Sequence, residues 1–141
     1  MSQEIKLNYK VSKEDFTRAG EASSSVKGTL KQMGVSPEVV RKVAIAMYEG
    51  EINMVIHADG GDIDVIITPE TIKMILKDKG PGIPDVDKAM QAGYSTAPDD
   101  VRNLGFGAGM GLPNMKKYTD EMYIETELGV GTTVTMVVNM Q

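Results

Sequence analysis

Hydrophobic and polar residues alternate at the start of the chain, and this pattern predicts a strand. Apolar side chains occupy every second position from Glu4 to Val11, which is the period of a strand with one covered face. Ser12 then offers a cap for a first helix, which we expect to extend to about Met33 and to stop at Gly34. The chain therefore opens with a strand followed by a helix.

A second helix begins with a stronger signal. Ser36 is a cap residue, Pro37 suits the first helical turn, and Glu38 places an acid at the positive end of the helix dipole. Apolar residues then continue around almost the whole circumference to about Ala58. This pattern predicts a long helix that is buried on most of its sides.

The second half of the chain predicts four more strands and a third main helix. Strand patterns cover residues 62–68, 72–78, 121–127 and 132–139, a short helical pattern covers 86–92, and another helix starts near Leu112-Pro113. The main elements follow the order β-α-α-β-β-α-β-β. This order predicts an α/β (α+β) two-layer sandwich, with helices on one face of a mixed, mostly antiparallel sheet.

Composition limits the classes of protein to which the chain can belong. A length of 141 residues, with 41% hydrophobic and 25% charged residues, suits a single globular domain over residues 1–141. The absence of cysteine excludes disulfides and thiolate metal sites. A net charge of −5 argues against a nucleic-acid partner, and the short apolar stretches argue against a membrane span. We therefore expect a cytoplasmic protein.

The second helix carries a polar stripe. Lys42, Glu49, Asn53 and His57 fall within an arc of about 80° by helical geometry. A polar stripe on a buried helix is costly unless its groups meet partners, although a stripe that simply faces solvent explains the pattern equally well. Glu51 falls on the apolar side of the same helix, and the pattern offers no explanation for it.

A carboxylate followed by two glycines ends the predicted strand 72–78. In the run that starts at Asp78 and includes Gly80 and Gly82, the carboxylate is an acceptor beside a backbone that a flat ligand can approach closely. An ordinary turn contains the same residue types. The motif alone therefore does not identify a site.

Alternating glycines precede the third main helix. Gly107, Gly109 and Gly111 lead directly to Leu112, and glycine-rich backbone at a helix start can surround phosphate oxygens with amide groups. The spacing is neither that of a P-loop nor that of a dinucleotide fingerprint. A mobile surface loop is the alternative, and residues 93–110 have the length and composition of a lid.

These motifs, in this order, resemble those of the GHKL ATPases and kinases, which have the Bergerat fold. The matching residues are Glu49 with Asn53, Asp78-x-Gly80-x-Gly82, Gly107-x-Gly109-x-Gly111 and Gly131-Thr132-Thr133. Within that group the chain is most similar to the serine/threonine switch kinases that control sigma factors, which include anti-sigma and stressosome kinases. The resemblance extends from about Val39 to Val138.

The resemblance implies a role for each matching residue. Asn53 would hold Mg²⁺ at the phosphates of ATP, and Glu49 would act as the base toward an acceptor hydroxyl or a water. Asp78 would accept the adenine amino hydrogen, with Thr133 beside it. Gly80 and Gly82 would let the adenine approach closely, whereas the lid would contact the phosphates through Gly107, Gly109, Gly111 and Leu112, and a terminal phosphate through Arg102.

The chain departs from the family pattern at two places besides Glu51. Residues 97–103 look like an insertion in the lid. Asn114 replaces the small residue that the pattern has after Gly-Leu-Pro. The sequence assigns no role to either feature.

Three functions fit these motifs. The resemblance implies a serine/threonine kinase that uses Mg·ATP on a small STAS-domain antagonist or another sigma-regulatory protein. The second is an ATP-binding module, with weak or no kinase activity, whose nucleotide state controls partner binding. The third, the catalytic half of a histidine kinase, is weakened because the only histidine lies within the nucleotide motif.

Overall fold

The secondary structure follows the predicted order. The computed structural model describes residues 4–12, 20–57, 60–83, 86, 90 and 111–140. The strands are β1 (Ile5–Val11), β2 (Gly61–Ile67), β3 (Thr71–Asp78), β4 (Glu121–Glu127) and β5 (Gly131–Asn139), and the helices are α1 (Glu21–Gln32), α2 (Pro37–His57) and α3 (Gly111–Lys117). The element order β1-α1-α2-β2-β3-α3-β4-β5 confirms the prediction.

One predicted helix differs from the structure in extent, and a second can be compared only in part. Helix α1 does not extend continuously from Ser12, because Gly20 is its N-cap and Glu21 its first residue. In the predicted segment 86–92, the Met90 amide donates to the Val86 carbonyl oxygen at 3.0 Å, as in one helical turn. The rest of that segment lies outside the described residues.

The five strands form one sheet in the order β1-β2-β3-β5-β4. The four strand pairings in the described part of the chain are all antiparallel, where we expected a mixed, mostly antiparallel sheet. Strand β3 lies at its centre, between β2 and β5. Asp78, the last residue of β3, is therefore flanked by a strand on each side.

One face of the sheet forms the core, and the helices cover it. Alternate residues of the three central strands are buried and pair in register, namely Ile63, Val65, Ile67, Ile72, Met74, Leu76, Val134, Met136 and Val138. They share a single apolar cluster with Val26 and Leu30 of α1, Val43 and Met47 of α2, and Met115 of α3. The other face exposes Asp64, Lys73 and Lys77. This arrangement confirms the predicted two-layer architecture.

Helix α2 begins where the sequence predicts. The Val39 amide donates to the Ser36 hydroxyl oxygen at 3.4 Å, which satisfies one of the free amides at the helix start. The helix then continues for 21 residues to His57, about 30 Å at the usual rise. Because α2 is this long, its C-terminal residues reach the edge of the sheet where Asp78 lies.

Across the described stretches of the chain, no helix combines the length and apolar character needed to cross a membrane.

Candidate nucleotide site

Glu49 and Asn53 lie one turn apart on α2 and are both partly exposed. The Asn53 side-chain nitrogen donates to the sulfur of Met115 on α3 at 3.9 Å. This orientation leaves the amide oxygen of Asn53 as an acceptor. A hard oxygen of this kind is a suitable ligand for Mg²⁺, so the orientation of Asn53 fits the metal that the family resemblance implies.

The pKa of the Glu49 carboxyl is shifted by burial and, to a lesser extent, by a side chain of α3. Burial raises the pKa of its carboxyl, and a hydrogen bond from the Asn114 side chain lowers that pKa by a smaller amount. Desolvation favours the neutral acid, whereas a donated hydrogen bond favours the carboxylate. Glu49 is therefore a half-buried acid with its pKa above the ordinary value, a property common among acid–base groups in functional sites.

Glu51 points to the opposite side of α2, and the structure explains it. Its side chain is 3% exposed, and its carboxylate accepts hydrogen bonds from the amides of Gly20 (3.0 Å), Ala22 (3.2 Å) and Ser23 (3.1 Å). The first amides of a helix lack partners within the helix, and Gly20 has no side chain to supply one. Glu51 therefore caps α1 from a neighbouring helix.

Asp78 is fixed by the start of β5. The Thr132 amide donates to its Oδ1 at 2.9 Å, which leaves the other carboxylate oxygen without a hydrogen bond in the described residues. Burial raises the pKa of Asp78, and the bond from Thr132 partly offsets that effect. The arrangement gives the half-buried carboxylate an acceptor for a ligand that carries an N–H group.

The expectation that Thr133 lies beside Asp78 is wrong. Thr133 pairs with Lys77 in the register of β3 and β5, so its side chain lies on the other face of the sheet. Thr132 is the threonine on the core face, where it is buried and contacts the hydroxyl of Thr126 at 2.9 Å. The sequence Gly-Thr-Thr gave no means of choosing between neighbouring threonines, because only the strand register decides which one faces Asp78.

The glycine turn after Asp78 is held by the β4–β5 hairpin. The Gly80 amide donates to the Val130 carbonyl at 3.2 Å, and the Gly129 amide donates to the Pro81 carbonyl at 2.9 Å. Gly82 has a positive φ of 80°, and a Cβ there would lie 2.7 Å from the Glu127 carbonyl oxygen. Gly82 is therefore required by the close approach of the hairpin as well as by the turn.

Helix α2 crosses the sheet close to Asp78. A Cβ on Gly50, beside Glu49, would lie 2.3 Å from a methyl carbon of Leu76, two residues before Asp78. The methyl carbon of Met54, beside Asn53, lies 2.8 Å from the position of a Cβ on Gly61, the register partner of Asp78. The structure therefore brings Glu49, Asn53 and Asp78 to one end of the sheet.

The residues that the family resemblance assigns to the phosphates are described only in part. Gly111 is the first residue of α3, and Leu112 is partly buried against the core. Gly107, Gly109, Arg102, the segment 97–103 and the side chain of His57 lie outside the described residues. Among the residues that the structure does describe, no group of three or more His, Cys, Asp or Glu side chains is placed to hold a metal.

Sequence comparisons agree with this geometry. The histidine kinase-like ATPase domain family matches residues 13–138. An anti-sigma F factor of Caldanaerobacter subterraneus subsp. tengcongensis is 32% identical over 138 residues, which cover 94% of this chain and 90% of that protein. The serine/threonine-protein kinase RsbT of Bacillus subtilis is 31% identical over 108 residues, which cover 74% of this chain and 75% of RsbT.

The fold comparison agrees as well. The mycobacterial sensor histidine kinase MprB superposes with a TM-score of 0.55 at 15% identity, over 96% of this chain and 97% of that one. At this identity the likeness concerns the fold alone. The chain belongs to the histidine kinase-like ATPase domain family, in the group of ATP-binding, kinase-like anti-sigma factors that its relatives represent.

Proposed function

We propose that the protein is a serine/threonine protein kinase of the anti-sigma switch type, which transfers the terminal phosphate of Mg·ATP to a small STAS-domain regulatory protein in the cytoplasm. The observation that carries the proposal is the placement of Glu49. Its carboxylate is half-buried, has a raised pKa and lies one turn from Asn53. A module that only binds nucleotide has no need for a base beside its metal ligand.

The proposed reaction divides the work among three side chains. Asp78 accepts the adenine amino hydrogen with the oxygen that Thr132 leaves free. Asn53 would hold Mg²⁺ through its amide oxygen, and the metal would supply charge neutralisation at the phosphates. Glu49 accepts the proton of the acceptor hydroxyl while that oxygen forms a bond to the terminal phosphorus. The bond from that phosphorus to the bridging oxygen breaks, and ADP leaves. Positioning and charge neutralisation are the main requirements of this chemistry.

The remaining site residues complete this proposal. Gly80 and Gly82 shape the turn beside the adenine, and the backbone of Gly107, Gly109, Gly111 and Leu112 contacts the phosphates. Such contacts use amide donors that glycine leaves accessible. Residues 1–141 act in this proposal as a single kinase domain.

A nucleotide-controlled binding module is the second candidate. Several relatives at 28–32% identity are named anti-sigma F factors, a name that describes binding and inhibition rather than transfer. In this alternative, ATP and ADP states differ in their affinity for a regulatory partner, and Glu49 has no role in the rate of transfer.

Two measurements separate the candidates. Mg·ATP and Mg·ADP should each raise the melting temperature, since a ligand at a hundredfold excess over its Kd adds about 2.7 kcal/mol to the stability of the native state. Incubation with labelled ATP, Mg²⁺ and STAS-domain proteins of the same organism should yield phosphoserine or phosphothreonine. Nucleotide-dependent partner binding without any transfer would favour the binding module, and unchanged melting would contradict both candidates.

A further inference from the structure

The turn that follows Asp78 runs alongside the β4–β5 hairpin. Gly80 is bonded to the tip of the hairpin, and Gly82 lies against the backbone at the end of β4. Ile83, the next residue, donates its amide hydrogen to the hydroxyl oxygen of Thr126 at 2.8 Å. The turn's bonds to the hairpin tip join backbone atoms, whereas at Ile83 a side chain of β4 holds the turn.

The Thr126 hydroxyl has three partners, which is the full capacity of one hydroxyl. Besides accepting the bond from Ile83, it donates to the Gly131 carbonyl oxygen at 3.5 Å and lies 2.9 Å from the hydroxyl oxygen of Thr132. A hydroxyl donates one hydrogen bond and accepts two, so Thr132 is the donor in the remaining pair when all three bonds are made. Valine has the shape of threonine and supplies none of these bonds, whereas serine supplies all of them.

Thr132 gives the Thr126 hydroxyl a fixed point of attachment. Thr132 is 6% exposed, and its amide donates to Oδ1 of Asp78 at 2.9 Å. Thr126 is exposed and lies opposite Thr132 in β4, at the edge of the sheet. A single side chain therefore connects the strand that fixes Asp78 with the far end of the glycine turn.

The path of this turn matters for a flat ligand that binds at Asp78. It sets the gap between the turn backbone and the free carboxylate oxygen, which is where the proposed function places the adenine. A loop that already has its bound conformation binds its ligand more tightly, because ordering the loop then costs nothing at the moment of binding. A hydroxyl that fixes the far end of the turn therefore contributes to affinity for the base.

We propose that Thr126 is a positioning residue for base recognition, which holds residues 80–83 at the distance from Asp78 that the adenine requires. This inference rests on the nucleotide-binding part of the proposed function and is independent of phosphoryl transfer. It adds the edge strand β4 to the site, a strand in which the sequence motifs assign no residue to the nucleotide.

The binding test compares Thr126→Val, Thr126→Ser and Thr135→Val. Thr135 lies in β5 on the other face of the sheet, so its variant controls for the loss of a strand hydroxyl. Thr126→Val should weaken the binding of ADP and of Mg·ATP by the same factor of about 2–10, the range for one hydrogen bond, because the turn is assigned to the base and not to the phosphates. The other two variants should keep the wild-type Kd values, and transfer by Thr126→Val at saturating Mg·ATP should match wild type.

These measurements separate positioning from general damage to the fold. Wild-type affinity for ADP in Thr126→Val would overturn the inference, and so would a Thr126→Ser variant that binds as weakly as Thr126→Val. A larger loss for Mg·ATP than for ADP would also overturn it, since the damage would then extend to the phosphates. The same is true of a slower transfer at saturating Mg·ATP.

Hydrogen exchange measured by NMR tests the contact itself. The Ile83 amide should exchange slowly in wild type and in Thr126→Ser, and faster in Thr126→Val, because a bonded amide exchanges only after local opening. Equal exchange of this amide in wild type and Thr126→Val would overturn the inference. If wild type binds nucleotides but phosphorylates no acceptor, the kinase proposal alone fails, and the affinities still decide the role of Thr126. If wild type binds no nucleotide, both proposals fail.

Discussion

The two glutamates of α2 that lie two residues apart face opposite sides of the helix and have opposite environments. Glu51 is 3% exposed, and three backbone amides donate to it. Glu49 is half-buried, and burial raises its pKa more than the Asn114 side chain lowers it. Complete satisfaction suits a carboxylate that holds two helices together. Glu49 is less fully surrounded by donors. Its carboxylate can therefore still accept a proton, and its raised pKa is common among acid–base groups in functional sites.

Under the proposed function, one side of this helix contributes to stability and the other to the reaction. The side of α2 that faces α1 uses charge to satisfy amides that would otherwise lack partners. The polar groups on the side that faces α3 are partly exposed. The same substitution of glutamate by glutamine should therefore affect folding at one position and reaction at the other.

The largest expected effect is the loss of phosphoryl-transfer rate in the Glu49→Gln variant. The variant removes the base but keeps the size of the side chain, and a positioned base contributes about 10²–10⁴-fold to rate. We expect single-turnover transfer to fall by that factor, with nucleotide Kd unchanged. Since burial disfavours the ionised form of Glu49, thermal stability should be unchanged or slightly higher. Transfer at the wild-type rate would show that Glu49 is not the base.

The second largest effect should be a loss of unfolding free energy in the Glu51→Gln variant. Glutamine keeps one acceptor oxygen but turns an N–H group toward amides that are themselves donors, and loss of a partner in a buried charged network costs about 3 kcal/mol. Urea denaturation should show this loss of unfolding free energy. The matched control is Glu38→Gln at the exposed start of α2, which should cost less than about 0.5 kcal/mol. Equal stability of Glu51→Gln and wild type would mean that α1 does not need this cap.

Asp78→Asn tests the second carboxylate of the candidate site. We expect adenine nucleotide affinity to fall about 10–100-fold, because a hydrogen bond to a charged acceptor contributes about 1.5–3 kcal/mol. Calorimetry should show that wild type binds ADP more tightly than an analogue that lacks the 6-amino group. The Asp78→Asn variant should bind the two nucleotides with similar affinity. The unliganded variant should be at least as stable as wild type, because burial raises the pKa of Asp78 and thus disfavours its charge. Equal loss of affinity for both nucleotides would place the adenine elsewhere.

The smallest effect is a shift of the pH profile. Transfer needs ionised Glu49, whose pKa is raised in the folded protein. The rate should therefore fall about tenfold per pH unit below that raised pKa, at a higher pH than an ordinary glutamate would give. The stability of the folded protein should increase as the pH falls. The cost of the buried charge is present above the folded pKa of Glu49 and is relieved as the pH falls toward its pKa in the unfolded chain. A transfer rate that is flat down to the ordinary glutamate pKa would contradict the assignment.

The sequence alone determined the features that depend on local order. Element order followed from periodicity, and the start of α2 followed from Ser36-Pro37, because capping and helix period act over a few residues. The sequence also shows the polar stripe with Glu49 and Asn53 and the turn after Asp78, because both are local patterns. Their combination in one order was sufficient to indicate the family.

Only the tertiary structure decided the features that depend on residues far apart in the chain. Glu51 appeared as an unexplained charge because its partners at the start of α1 lie about 30 residues earlier. The choice of Thr132 over Thr133 required the register of β3 and β5, and a shift of one residue reverses the face. The effect of Asn114 on the pKa of Glu49 depends on the packing of α3 beside α2. Such partners are set by packing between elements, and no local pattern records that packing.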